Sequence, residues 1–147
     1  MSEGVITSRD NNRVRHARKV RDGKLPDEIF IEGVRLCEQA AQANLKITDV
    51  LFTERLQTDD RAARVLSDFG RSFADSAVVA ENVFASLSDT KTPQGIAVLA
   101  TRPSSDEKDF ERALRDVPLI VIMHRLNNPA NAGAILRAAE GAGATAR

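Results

Sequence analysis

The sequence predicts an α/β sandwich, and three observations carry that prediction. Short β-branched runs recur at residues 28–32, 47–52, 76–80, 95–101 and 118–123. Between them lie stretches with apolar residues at helical spacing, such as Ala62, Val65, Leu66 and Phe69. Glycines and prolines punctuate the junctions. Strands that alternate with helices imply helices layered on a largely parallel sheet.

The first element is a basic segment, residues 8–24, which reads SRDNNRVRHARKVRDGK. Ser8 suits a helix cap, Val14, Ala17 and Val20 give the helix a thin apolar edge, and Gly23 can end it. Arginines and lysines far outnumber its two aspartates. Arg9, Asn12, Arg13, Arg15, Arg18, Lys19 and Arg21 offer donors and charge to a phosphate backbone. A solvated helix with spread-out charge is the other reading. His16 tunes charge there rather than doing chemistry.

Residues 28–32 form a strand, and Gly33 opens a helix that runs to Asn44. Val34, Cys37, Ala40 and Ala41 make its buried face. Cys37 is a small core residue there, since no histidine or acid at a suitable spacing activates it. A strand at 47–52 follows, then a helix that starts at Asp59 or Asp60 and closes at Gly70. Residues 76–80 are a strand, 81–87 a short helix, and 95–101 a strand that ends before Pro103. The loop between the last two reads LSDTKTPQG, residues 87–95. Lys91, Thr92 and Gln94 make it rich in donors for phosphate or sugar oxygens. A tight turn feeding the strand accounts for Pro93 and Gly95 equally well.

Residues 101–109, TRPSSDEKD, read as a linker, and Phe110, Ala113, Leu114 and Val117 form one face of a short helix. The apolar run 118–123 reads as a buried strand, with His124 and Arg125 at its C-terminal end and His124 facing solvent. Asn128 then caps a helix with Pro129 at its first position. Ala132, Ile135, Leu136 and Ala139 fall on one apolar stripe, and Gly141 and Gly143 offer the stop. Asn131 lies in the first turn, where orphan N–H groups and the positive dipole end favour oxygen-rich ligands. Gly133 and Arg137 are one turn apart and share a face. The glycine leaves room for a ligand against the backbone, and the arginine can hold it by a forked pair of hydrogen bonds. That suits a ribose or a phosphate; a plain strand–turn–helix with a surface arginine is the alternative.

Composition bounds these readings. The chain has 147 residues, with 21 basic and 21 acidic side chains, so net charge says nothing about partners while its distribution does. One cysteine excludes an internal disulfide framework and fits a reducing cytoplasm. No apolar run approaches membrane-spanning length, and no signal-peptide core is visible. With no Trp or Tyr, recognition built on stacked bases is disfavoured. No metal-ligand spacing and no glycine-rich cofactor loop of the Rossmann type is present.

The run 128–139, NPANAGAILRAA, followed by Gly143, resembles the first signature motif of the SpoU (TrmH-like) RNA 2′-O-ribose methyltransferases of the SPOUT class. Asn131, Gly133 and Arg137 match that motif, with Pro129 part of its frame; Ala138 stands where the family usually has Thr. Phe30-Ile31-Glu32-Gly33 resembles the family's F-x-E-G turn, residues 88–95 its S-D-T-x-x-P-Q-G segment, and the basic opening its Ser-x-x-Asn start.

The resemblance implies an RNA substrate-binding domain over 1–102, similar to the ribosomal-protein fold of kink-turn binders. Residues 103–117 would be linker and short helix, and 118–147 the first strand and helix of an incomplete, knotted SPOUT domain. It implies Arg137 in ribose activation and Asn131 in shaping the site. The parent enzyme would use S-adenosylmethionine, act on rRNA or tRNA, and form a homodimer. Its cofactor pocket would come from two later motifs, so no residue of this chain is expected to bind the cofactor. The chain alone is expected to bind RNA without catalysing transfer, and its 118–143 unit to be poorly covered or paired with another molecule. The rivals are a non-catalytic RNA-binding module and a protein-interaction domain.

Overall fold

Residue Ile96 begins a strand that is buried on both faces, and the first part of the molecule is assembled around it. The protein is described from a computed structural model, which defines residues 4–72, 76–103, 108, 111, 114 and 118–144. The chain divides into two compact units, Met1–Pro103 and Ser104–Arg147.

The first unit holds four strands: β1 (Glu28–Glu32), β2 (Ile47–Phe52), β3 (Ser76–Val78) and β4 (Ile96–Thr101), in the order β1-β4-β2-β3. β4 pairs antiparallel with both β1 and β2, and only β2 and β3 pair in parallel. The expected largely parallel sheet is therefore corrected to a mixed one. The alternation of strands and helices did orient β1, β2 and β3 alike. It did not reveal that β4, after a very short helix, returns between β1 and β2. β4 is the central strand because its Ile-Ala-Val-Leu-Ala run is apolar on both faces. A further parallel bridge, Ile6 to Val79, extends the edge at β3; sequence pattern assigned no role to Ile6.

The helices are α1 (Asn12–Arg21), α2 (Val34–Gln42), α3 (Asp60–Ser72) and the one-turn α4 (Glu81–Phe84), with a 3-10 turn at Glu54–Thr58. The pleat divides the core in two. Leu51, Ala97 and Leu99 meet Val14, Ala17 and Val20 of α1 and Val83, Phe84 and Leu87 around α4. Val50, Phe52, Ile96 and Val98 meet Val34, Cys37 and Ala40 of α2 and Ala62, Val65 and Phe69 of α3. Each fully buried aliphatic side chain adds about 1.5–3 kcal/mol to this sandwich.

Helix ends follow from local chemistry. Asn11, rather than Ser8, caps α1: its Oδ1 accepts from the Arg13 N–H at 2.9 Å, while Ser8 Oγ closes a turn on the Asp10 N–H. Gly23 at φ +70° ends α1, with the Lys24 N–H on the Lys19 carbonyl and the Gly23 N–H on the Val20 carbonyl. Asn44 at φ +51° ends α2 in the same way. Asp59 caps α3 through the N–H groups of Arg61 and Ala62, and the helix runs past Gly70 to Ser72.

In the second unit, α5 (Pro129–Gly141) has its expected start, with Asn128 Oδ1 accepting from the Ala130 N–H at 2.9 Å and Pro129 in the first turn. Gly143 is its stop, not Gly141: at φ +80° it is followed by an Ala144 N–H on the Ala139 carbonyl. Leu136, placed on the apolar stripe from sequence, is 53% exposed, while Ala132, Ile135 and Ala139 are half-buried. Residues 118–124 are not a strand. They have strand composition, but an isolated strand has no ladder to join and does not persist alone. The helix expected on Phe110, Ala113, Leu114 and Val117 falls mostly outside the described residues, with only Leu114 of the four inside them.

Candidate nucleic-acid interface

Helix α1 turns Val14, Ala17 and Val20 into the core, and the same periodicity turns Asn12, Arg15 and Lys19 outward as one exposed stripe. Its basic residues thus divide into two groups. Arg13 forks onto the carboxylate of Asp49 in β2, with Nε to Oδ2 at 3.2 Å, and the two side chains are 21% and 12% exposed. Arg21 Nη1 donates to the carbonyls of Ser86 and Leu87 at 3.1 and 3.0 Å. Its Nε and Nη2 hold Asp22, and those hydrogen bonds keep the Asp22 carboxyl below its usual range. Arg18 reaches Ser86 Oγ at 3.2 Å and Arg9 reaches the Asn82 carbonyl at 3.4 Å. Arg13, Arg18 and Arg21 therefore tie α1 to the sheet and to the α4 turn, while Arg15 and Lys19 extend into solvent.

His16 Nε2 lies 2.7 Å from Glu28 Oε2 in β1, and Thr48 donates to the other oxygen of the same carboxylate. Sequence reasoning missed Asp49 and Glu28 as partners of this helix. Asp49 was detectable, because an acid inside an otherwise apolar strand is costly unless something pairs with it.

Two short stretches that looked unrelated in sequence lock together. Glu32 Oε1 accepts from Ser88 Oγ at 2.5 Å and Thr90 Oγ1 at 3.2 Å. Next to it, Gly33 has φ +96°, and a Cβ there would lie 2.9 Å from Gln94 Oε1. That oxygen accepts from the Val34 N–H at 2.9 Å and so caps α2 in place of a side chain at position 33. Arg55 donates to the Pro93 carbonyl and pairs with Glu81. Of the loop residues considered for RNA, Gln94 thus serves α2, whereas Lys91 and Thr92 are exposed at the tip.

In the second unit, Asn131 and Arg137 are both exposed on α5. The Arg137 guanidinium folds back over Gly133, where a Cβ would stand 3.4 Å from Nη1. Leu119, Ile120, Val121, Ile122 and Met123 are all exposed, with Ile122 at 87%. Cys37 is buried, and burial pushes its thiol up to about 12. Among the described residues no cluster of metal-ligating side chains occurs, and no helix is long and apolar enough to cross a membrane.

Residues 11–98 match the family described as the MRM3-like substrate binding domain. The structure of an RNA 2′-O ribose methyltransferase aligns over 95% of this chain and 52% of its own, at 27% identity and a TM-score of 0.67. An rRNA methyltransferase from Sinorhizobium meliloti aligns over 95% and 51%, at 20% identity and a TM-score of 0.64. The SpoU methyltransferase AviRb from Streptomyces viridochromogenes, solved with AdoMet, aligns over 92% and 51%, at 21% identity and a TM-score of 0.70. The last two likenesses are of fold alone. The chain spans about half the length of each of these structures. The curated proteins contain no match. With its family match over most of the first unit, the chain belongs to the SpoU RNA methyltransferase family, and residues 11–98 are its MRM3-like substrate-binding domain.

Proposed function

We propose that this chain is the RNA-holding part, with the first ribose-facing elements, of an enzyme that methylates a ribose 2′-hydroxyl in ribosomal or transfer RNA. The observation that carries the reading is the division of α1: Arg13 and Arg21 are tied to the fold, and Asn12, Arg15 and Lys19 face out together. Two cations and an amide along one helix face suit successive phosphates of a backbone, and such contacts position an RNA without reading its sequence. The absence of Trp and Tyr from the chain fits recognition by shape and charge rather than by stacked bases, as expected for a kink-turn-type fold.

Arg137 and Asn131 form the ribose end of the proposal. A guanidinium beside a 2′-hydroxyl favours its deprotonated form, and Gly133, having no Cβ, leaves the Arg137 guanidinium room against the helix. Asn131, in the first turn of α5, orients the sugar by a neutral donor and acceptor. S-adenosylmethionine, when bound to the parent enzyme, supplies the methyl group; this chain contributes the substrate side and is inactive by itself. The parent acts in the cytoplasm as a homodimer.

The test is RNA affinity of the Arg15→Ala/Lys19→Ala double variant. We expect binding to weaken evenly across RNA sequences and the slope of log affinity against log salt to shrink by roughly 1–2. Unchanged affinity and slope would remove α1 from the interface and favour a protein-interaction domain.

A further inference from the structure

The geometry points to Glu32 as a positioning residue that sets the RNA-facing tip of the 88–95 loop. This rests on the RNA-binding reading above and deepens it. Lys91 and Thr92 are the exposed cation and hydroxyl of that loop. A tip of this kind is useful only if its backbone is fixed before the ligand arrives, because ordering it on binding costs affinity. Three anchors fix it. On the N-terminal side, one carboxylate oxygen of Glu32 gathers the Ser88 and Thr90 hydroxyls, and the Thr90 N–H donates to Ser88 Oγ at 3.0 Å. On the C-terminal side, Gln94 is seated over Gly33 and on the Val34 N–H. Between them, the Pro93 carbonyl is held by Arg55.

Glu32 and Gly33 therefore form a mould at the end of β1, and the loop is cast on it. Lys91 and Thr92 make no part of the mould, and fold economy alone gives no reason for a lysine at its tip. Glu32 does not touch RNA in this account; it acts through the position of Lys91.

The experiment is a mutant cycle read by RNA affinity, with circular dichroism and urea unfolding as checks of the fold. Lys91→Ala is expected to weaken binding about threefold or more, as for loss of one phosphate contact. Glu32→Ala is expected to weaken it by a similar factor, and Glu32→Gln, which keeps an acceptor oxygen, to recover most of it. Glu32→Ala with Lys91→Ala should be no weaker than either alone, while Glu32→Ala with Lys19→Ala should be additive. If Glu32→Ala does not fold, Ser88→Ala/Thr90→Val removes the same bonds from the loop side and is expected to behave alike. Full additivity with Lys91→Ala, or a Glu32 variant that binds like the wild type, overturns the inference. Lys91→Ala without effect overturns it too. Persistent wild-type binding would then leave the wider RNA reading standing, and absent wild-type binding would end both.

Discussion

Arg13 and Arg15 stand two positions apart on α1 and have opposite fates. One is spent on Asp49 inside the fold, and the other faces solvent. The sequence shows both only as positive charge, so charge patterning found the segment but could not sort its members. What sorts them is the helical phase of Val14, Ala17 and Val20, which was legible, together with the partners Asp49, Ser86 and Leu87, which come from distant parts of the chain and were not. Cys37 was legible as a core residue, and its environment leads to a prediction. Burial raises its folded-state value from 9.0 to about 12. The folded state therefore keeps a proton that the unfolded state gives up. The associated stability is fully present below pH 9 and is lost as pH rises toward about 12. We expect urea midpoints over that range to fall more steeply for wild type than for Cys37→Ala. At pH 8 a thiol reagent should modify Cys37 only at the rate of unfolding. Rapid modification of the folded chain would contradict this.

At the scale of elements, the sequence placed the α-helices and strands described in the first unit to within a few residues, but it missed the 3-10 turn at Glu54–Thr58 and mistook the direction of the sheet. Local pattern reports whether a segment is a strand; pairing partners depend on contacts far along the chain, and β4 lies between two strands that precede it. The 118–123 segment shows the same limit from the other side: β-branched composition does not make a strand without a neighbour to pair with. Glycine, by contrast, was read well as punctuation and less well by cause. Gly23 and Gly95 both have positive φ, but nothing lies within 4 Å of a Cβ on Gly23, whereas one on Gly95 would overlap the buried Thr53 hydroxyl. We expect Gly23→Ala to cost about 1–2 kcal/mol, the strain of the left-handed conformation alone. Gly95→Ala should cost about 1–3 kcal/mol beyond that, for overpacking at the start of the central strand. Urea unfolding of both variants checks the order, and equal losses would mean that the Thr53 contact gives way freely.

For the whole molecule, the family was legible because its motifs are local runs: F-x-E-G at 30–33, the 88–95 segment and the 128–139 run. Their mutual fit was not, since the hydrogen bonds from Ser88 and Thr90 to Glu32 cross more than half a hundred residues of chain. The 118–123 run was expected both as a buried strand and as part of a poorly covered unit; Leu119 to Met123, Leu126 and Leu136 are all exposed, in line with the second expectation and against the first. The first unit is proposed to hold RNA by charge, and the most direct test is a fluorescence anisotropy titration of a labelled ribosomal RNA fragment with the wild-type chain over a series of salt concentrations. We predict saturable binding whose log affinity falls linearly with log salt, at about 0.7–0.9 for each phosphate neutralised and so roughly 2–3 in total. Absence of binding at low salt, or an affinity that salt leaves unchanged, would contradict it.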